Sequence, residues 1–326
     1  AILSSATELG AISMGLGSSA SGLSAIAIGR STTSTQINSI AIGGGAGGDG
    51  ADATGSNSIA IGNETTSSGI QSLAMLDCAE ATDTSYIAIG ASAKSKSRDA
   101  IAIGRQVGLV GELGRGCVGI GYNALQNTTG NYNVAVGQKA GQLTTSGINN
   151  TFIGVNAGYE NFTGSNNVCV GRLADVSGNV SNAVAIGNAS ETSGDSGISI
   201  GSGSECSGVD GDAIGTTARA LNSQAIAIGD NTISEGTGRI AMGINSNAYA
   251  VRTVAIGVSA FATVDSAVAL GRATSATASN AVAIGGGSGG FGANASGVQG
   301  IAIGNDSDAS GGNSVSIGTG SEASQI

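Results

Sequence analysis

Histidine, proline and tryptophan are absent from this chain, aromatic residues make up only 3% of it, and charged residues 10%. Each shortage excludes something. Without histidine the usual proton-transfer group is missing. No G-x-S-x-G elbow and no carboxylate pair fixed by a motif takes its place, so no catalytic residue is nominated and no cofactor is implied. With four Phe, five Tyr and no Trp in 326 residues, a thick core around large rings cannot form. Thin layers of Ala, Val and Ile remain available, and stacking such layers is how solenoids are stabilised. The net charge of −10, with twelve Lys and Arg scattered singly, offers no basic patch for nucleic acid. No apolar run approaches the ~18–20 residues of a spanning helix, so no membrane insertion by this segment is expected. The four cysteines, Cys78, Cys117, Cys169 and Cys206, form no CxxC pair and lack the tight clusters that zinc requires. They read as small buried fillers, and no metal site is assigned.

What is abundant is glycine, 58 residues, and it is periodic. A phrase of the form IAIG closes on twenty glycines from Gly15 to Gly318, and Leu76 occupies one further slot, which makes 21 turns. Most steps are 14 residues; a central block runs at 16–17 and two steps are 19. With the glycine as position zero, −1 is always Ile, Val, Leu or Met. Position −3 is aliphatic except at Thr151 and Asp212, and −2 is small except at Phe152. Period-two alternation marks a strand. Restriction at both −1/−3 and −2 implies burial on both faces, one against the turn's own interior and the other against a neighbouring subunit. Small residues at +3 and +5 suggest a second short strand. The glycine then turns the corner, where positive φ costs no Cβ clash. The fold class expected is all-β: a parallel β-solenoid of about 21 turns stacked ~4.8 Å apart, running as one continuous solenoid over 1–326. Its sub-regions are 1–104 with 14-residue turns, 105–187 with longer turns, and 188–326 with 14-residue turns again. Ala1 already lies inside the repeat frame, which also reaches the last residues. We therefore expect a longer natural protein, or rods that cap one another end to end.

NAVAIGNASETSG (Asn182–Gly194), TVAIGVSAFATVDSAVALG (Thr253–Gly271) and NAVAIGG (Asn280–Gly286) resemble the head repeat of YadA-type trimeric autotransporter adhesins. The resemblance covers about two thirds of the chain. It implies a left-handed parallel β-roll, three copies of which pack as a homotrimer. The central segments Gly121–Gly141 and Gly154–Gly171 resemble instead the longer-turn repeats of bacteriophage and other viral tail fibres. Together they imply a non-enzymatic attachment fibre on an extracellular surface, bacterial or virion, with a cell-surface glycan or protein as receptor. The alternative is a passive shaft or self-assembling filament with no ligand of its own.

Three features stand out as candidate sites. Insertions at 44–55 and 286–297 share one template, GGGAGGDGADATG and GGGSGGFGANASG, and corner loops are where binding groups tend to sit. Their residues Asp49, Asp52, Phe291 and Asn294 are candidate contacts; simple tolerance of Gly-rich loops is the competing reading. GGAGGD resembles one copy of a calcium-binding repeat, but Phe291 stands where the second copy needs Asp. The central block holds Tyr122, Tyr132, Tyr159 and Phe162, candidate sugar-stacking rings, which could equally fill a wider interior together with Phe152. Lastly, Asp212 replaces an aliphatic −3 residue. A lone buried carboxylate is costly, so that turn is expected to be distorted or open to water, with Arg219 or Arg239 as a partner.

Overall fold

The structure is a computed structural model that describes residues 4–45, 49–95, 97–287 and 291–324. The middles of both insertions, 46–48 and 288–290, lie outside the described residues. The chain is an all-β parallel β-solenoid, and no helix occurs among the described residues. Its contacts divide it into two compact units, Ala1–Leu173 and Ala174–Ile326. The first carries eleven three-residue strands, from Ile12–Met14 to Val168–Val170, and seven two-residue strands, from Ser5–Ala6 to Lys94–Ser95. The second carries ten three-residue strands, from Val184–Ile186 to Val315–Ile317, and eleven two-residue strands, from Asp175–Val176 to Glu322–Ala323.

One turn explains the rest. Ile26–Ile28 is a strand, Gly29 turns the corner, Thr33–Ser34 runs as the second strand, and residues 36–38 turn back to Ile40–Ile42. Both strands pair parallel and in register with the same strands one turn on: Ala27 lies beside Ala41 and Ser34 beside Ala53. The position-zero glycines have φ between +122° and +157°, a region open in practice only to glycine. Close approach also demands glycine there, because a Cβ on Gly121 would stand 2.5 Å from the Gly137 carbonyl oxygen one turn ahead. Hydroxyls at +3 fasten the same corner: Thr32, Thr274 and Ser307 each donate to the carbonyl of the glycine three residues back, at 2.9–3.1 Å. At the opposite corner Ser39, Ser58 and Ser72 do the same with Gln36, Gly55 and Gly69, at 2.6–2.7 Å. Small polar residues recur at these slots because each satisfies a corner carbonyl from inside the turn.

The interior is narrower than expected. It is built from the −4, −2, +3 and +5 positions and consists almost wholly of Ala, Ser and Thr: Ala241, Ala248, Ala255, Ala260, Ala262 and Ala269 form one fully buried stretch. The Val and Ile side chains of the −1 and −3 positions do not enter it. Two backbones face each other across each turn at a separation that a methyl or hydroxymethyl group fills, so the −1 and −3 aliphatics point outward. Ile186, Ile200, Ile256 and Ile284 are each 36–38% exposed.

This orientation leaves Asp212 open to water, one of the two expected outcomes, and corrects the other, a distorted turn, together with the expected arginine partner. Its −3 slot is on the outer face, the residue is only half-buried, and Asp212–Ile214 keeps perfect register between Ile198–Ile200 and Ile226–Ile228. The turn is undistorted, and Arg219 pairs with Glu205 at 3.0 Å. Arg239 instead turns inward: it is 4% exposed, Nη1 donates to the Ala248 carbonyl at 3.3 Å, and Nε has no partner among the described residues. Glycine at 236 makes the room, since a Cβ there would collide with the guanidinium. Burial lowers the Arg239 pKa, an effect that Asp265 and Glu235 oppose. The cysteine reading needs one correction as well. None of the four is in a disulfide, and Cys117, Cys169 and Cys206 are buried, but Cys78 is half-buried at the surface.

In the longer turns of the first unit the second strand gives way to a broader turn, and the interior widens. Phe152 fills it, fully buried, against Gly141 and Gly158; Leu125, Val107 and Leu113 are buried nearby. An asparagine ladder closes the corner. Asn150 Nδ2 donates to Asn133 Oδ1 at 3.0 Å, the backbone N–H of Asn150 donates to the same oxygen at 2.9 Å, and the Asn167 N–H donates to Asn150 Oδ1 at 2.9 Å. Cys117 takes the ladder's preceding slot, accepting from the Asn133 N–H at 3.4 Å and donating to the Gly130 carbonyl at 3.2 Å. The sequence signal was Asn at −4 in three consecutive turns.

Candidate functional site

The two insertions are built alike. Gly44 and Gly286 each lie over the backbone N–H of an arginine one turn earlier, Arg30 and Arg272, with a Cβ position 3.1 Å from that nitrogen. Gly45 and Gly287 pack against the carbonyl of the residue at the tip, Asp49 or Phe291, and against the side chain of Asn63 or Asn305. Gly50 and Gly292 press on the carbonyls of Arg30 and Ser31, or of Arg272 and Ala273. The described residues at the two ends of each loop therefore pack over the preceding corner and against each other.

The side chains on this common scaffold differ. In the first copy Asp49 is exposed and Asp52 half-buried, and Asp52 stands in register between Thr33 and Thr66. Burial pushes the Asp52 carboxyl up from its ordinary value; a hydrogen bond from Thr33 opposes the shift and the charge of Asp49 adds to it. In the second copy Phe291 is 63% exposed and Asn294 stands between Ser275 and Asp308. Asn294 Nδ2 donates to Asp308 Oδ1 at 3.5 Å. There the loop, the strand column and the next corner enclose a cleft of about 280 Å³ whose lining includes Phe291, Asn294, Asp306 and Asp308. Two of the candidate residues, Phe291 and Asn294, are thus brought together, with two acids that the sequence pattern did not single out.

The central aromatics are not brought together. Tyr122, Tyr132 and Phe162 are exposed and Tyr159 is half-buried. They occupy four different positions around the turn: +1, −5, +8 and +5 from the nearest position-zero glycine. Arg105 lies 5.6 Å over the Tyr122 ring, and the Tyr132 ring covers Gly116. Among the described residues no group of three or more His, Cys, Asp or Glu is placed to hold a metal ion.

A further surface feature is the outer face of the three-residue strands. In the second unit the −1 column runs Ile186, Ile200, Ile214, Ile228, Met242, Ile256, Leu270, Ile284, Ile303 and Ile317, all in register. The −3 column beside it is aliphatic apart from Asp212. The first unit presents the same two columns from Ile12 and Met14 to Val168 and Val170. A contiguous apolar surface of this kind marks an interaction face.

Parallel solenoid turns with an Ala-lined interior, glycine corners and an aliphatic outer column define a class of repeat proteins. The chain belongs to the YadA head domain repeat family: that family's profile matches residues 6–31, 20–46, 53–75, 87–106, 181–204, 207–232, 235–260, 265–288, 290–307, 295–321 and 309–325, well over half of the sequence. It leaves the central block unmatched, where the turns are longer, a broader turn replaces the second strand and the asparagine ladder closes the opposite corner. No curated protein matches the chain.

Proposed function

We propose that this chain is a segment of a non-enzymatic, surface-exposed attachment fibre that assembles as a homotrimer through its −1/−3 aliphatic columns and displays its corner loops to a cell-surface glycan, a matrix protein or another receptor. The supporting observation is that face: two columns of ten in-register positions in the second unit, all aliphatic except Asp212. Leaving them in water would cost about 25 cal/mol for every Å² of apolar surface, and packing three copies together removes that exposure. Membership of the YadA head repeat family supports the adhesin role and an extracellular location. Threefold repetition multiplies weak contacts, so avidity replaces a deep pocket.

Light scattering on the purified chain tests the assembly. Three chain masses are expected, and Ile256→Asp, at the centre of the −1 column, is expected to shift the population toward monomer. A wild-type chain that stays monomeric at all concentrations contradicts the proposal. Binding of the fluorescent trimer to bacteria, animal cells and matrix proteins tests attachment, and deletion of five residues, 45–49 or 287–291, which restores a 14-residue turn and keeps the strands Asp52–Ala53 and Asn294–Ala295, is expected to weaken it while the fold remains. A stable trimer that binds none of these surfaces is a passive shaft.

A further inference from the structure

We propose that the cleft beside Phe291 is a binding site for the ring of a neutral hexopyranose, the non-reducing end of a surface glycan; this rests on the attachment reading above and names the ligand class for one of its loops. The shape comes first. A volume of about 280 Å³ falls at or below the ~300–1,000 Å³ of sites that bury drug-sized ligands, which suits one sugar ring and leaves no space for a folded peptide motif. The chemistry follows. A pyranose has one apolar face of C–H groups and a rim of hydroxyls. Phe291, 63% exposed and held at the loop tip by the close packing of Gly287 and Gly292, supplies an aromatic face for the C–H side.

The rim meets a strip of polar groups. Ser275, Asn294 and Asp308 stand in one parallel, in-register column, so their side chains are spaced by the strand separation of about 4.8 Å, on the scale of a pyranose ring. Asp306 lines the same cleft. Carboxylates accept from sugar hydroxyls, and the Asn294 amide both donates and accepts. With two acids and no basic side chain lining it, the cleft disfavours sialic acid, phosphorylated sugars and other anions. The first insertion is a natural comparison: the same glycine scaffold carries Asp49 and Asp52 where the second carries Phe291 and Asn294, so it has no ring on which a sugar can stack.

The test is saturation-transfer NMR on the full chain with the methyl glycosides of glucose, galactose and mannose, and with N-acetylneuraminic acid as the anionic control. At least one neutral glycoside is expected to bind with a millimolar dissociation constant. Phe291→Ala and Asn294→Ala are each expected to weaken it about tenfold or more, and Ser202→Ala, at an exposed position of another turn, to leave it unchanged. Circular dichroism and the melting temperature show that the variants fold. Absence of transfer from every neutral glycoside overturns the proposal, as does transfer that survives Phe291→Ala unchanged. Cell binding separates this inference from the reading beneath it. Wild-type chain that binds cells but none of the sugars refutes only the sugar site. Chain that binds the sugar through Phe291 but no cell keeps the site and removes the attachment role.

Discussion

Replacing Gly257 by Ala tests the glycine corner directly. Gly257 has φ +138°, and a Cβ there would run into the Gly271 carbonyl oxygen of the next turn. Two costs arise. Holding alanine in a region that only glycine populates costs about 1–3 kcal/mol. Relieving the collision means moving the next turn away, which strains the hydrogen bonds from Gly257 N–H to the Met242 carbonyl and from Gly271 N–H to the Ile256 carbonyl, both 2.7 Å; overpacking of this sort costs about 1–3 kcal/mol more. We expect a loss of at least about 2 kcal/mol, the two costs together, read as a fall in the denaturation midpoint. Because each turn contacts only its neighbours, protection from hydrogen exchange should fall first around residues 243–271. Val258→Ala, one residue on and 43% exposed, is the control and should cost within about 0.5 kcal/mol. Leu76 supplies the converse. It occupies a position-zero slot at φ +79°, where a non-glycine side chain costs about 1–2 kcal/mol, while glycine there would raise the entropy of the unfolded chain by about 0.4–1 kcal/mol. Leu76→Gly should therefore be neutral to stabilising by up to about 1.6 kcal/mol. If Gly257→Ala costs no more than Val258→Ala, the corner does not need glycine and the reasoning is wrong.

Arg239→Ala should stabilise the fold by about 1–3 kcal/mol, because a buried guanidinium with an unpartnered Nε carries a desolvation penalty. Gly236→Ala should be harmful in the wild type and tolerated in Arg239→Ala, a coupling that a double-mutant cycle in urea would measure. Asp52→Asn should raise the melting temperature at pH 7. The Asp52 pKa is raised by burial, so the folded state holds its proton more tightly than the unfolded one, and stability falls as pH rises from the ordinary value of 3.8 through the raised one. The advantage of the Asp52→Asn variant should vanish below about pH 4 on this linkage, and a difference that persists about one unit lower argues against it. With a maleimide, Cys78 should label in the native protein, slowly because burial and the nearby Glu64 and Asp77 raise its pKa. Cys117, Cys169 and Cys206 should label only on unfolding; mass spectrometry after a timed quench would show which have reacted.

The sequence by itself determined the repeat, the parallel strands and the corners. Glycine returning every 14 residues beside an x-Ala-x triplet has few other uses, since it combines a strand period of two with a backbone conformation that only glycine adopts cheaply. The shared template of the two insertions was legible for the same reason, as was Phe152 as the filler of a wider turn. What the alternation could not decide was which face is inside. A strand with large aliphatics on one face and alanine on the other reads identically in either orientation, and the usual habit of placing large residues inward gives the wrong answer here. Only the distance between the two backbones across a turn settles it: that gap admits Ala255 and Ser34 and turns Ile256 outward. The same distance made Asp212 harmless on the outer face and left Arg239 inside, where Gly236 makes room. The asparagine ladder, and the cleft that joins Phe291 to Asp306 and Asp308, likewise depend on which residues stacking brings side by side, a matter of turn-to-turn register that spans 14 to 19 residues of sequence.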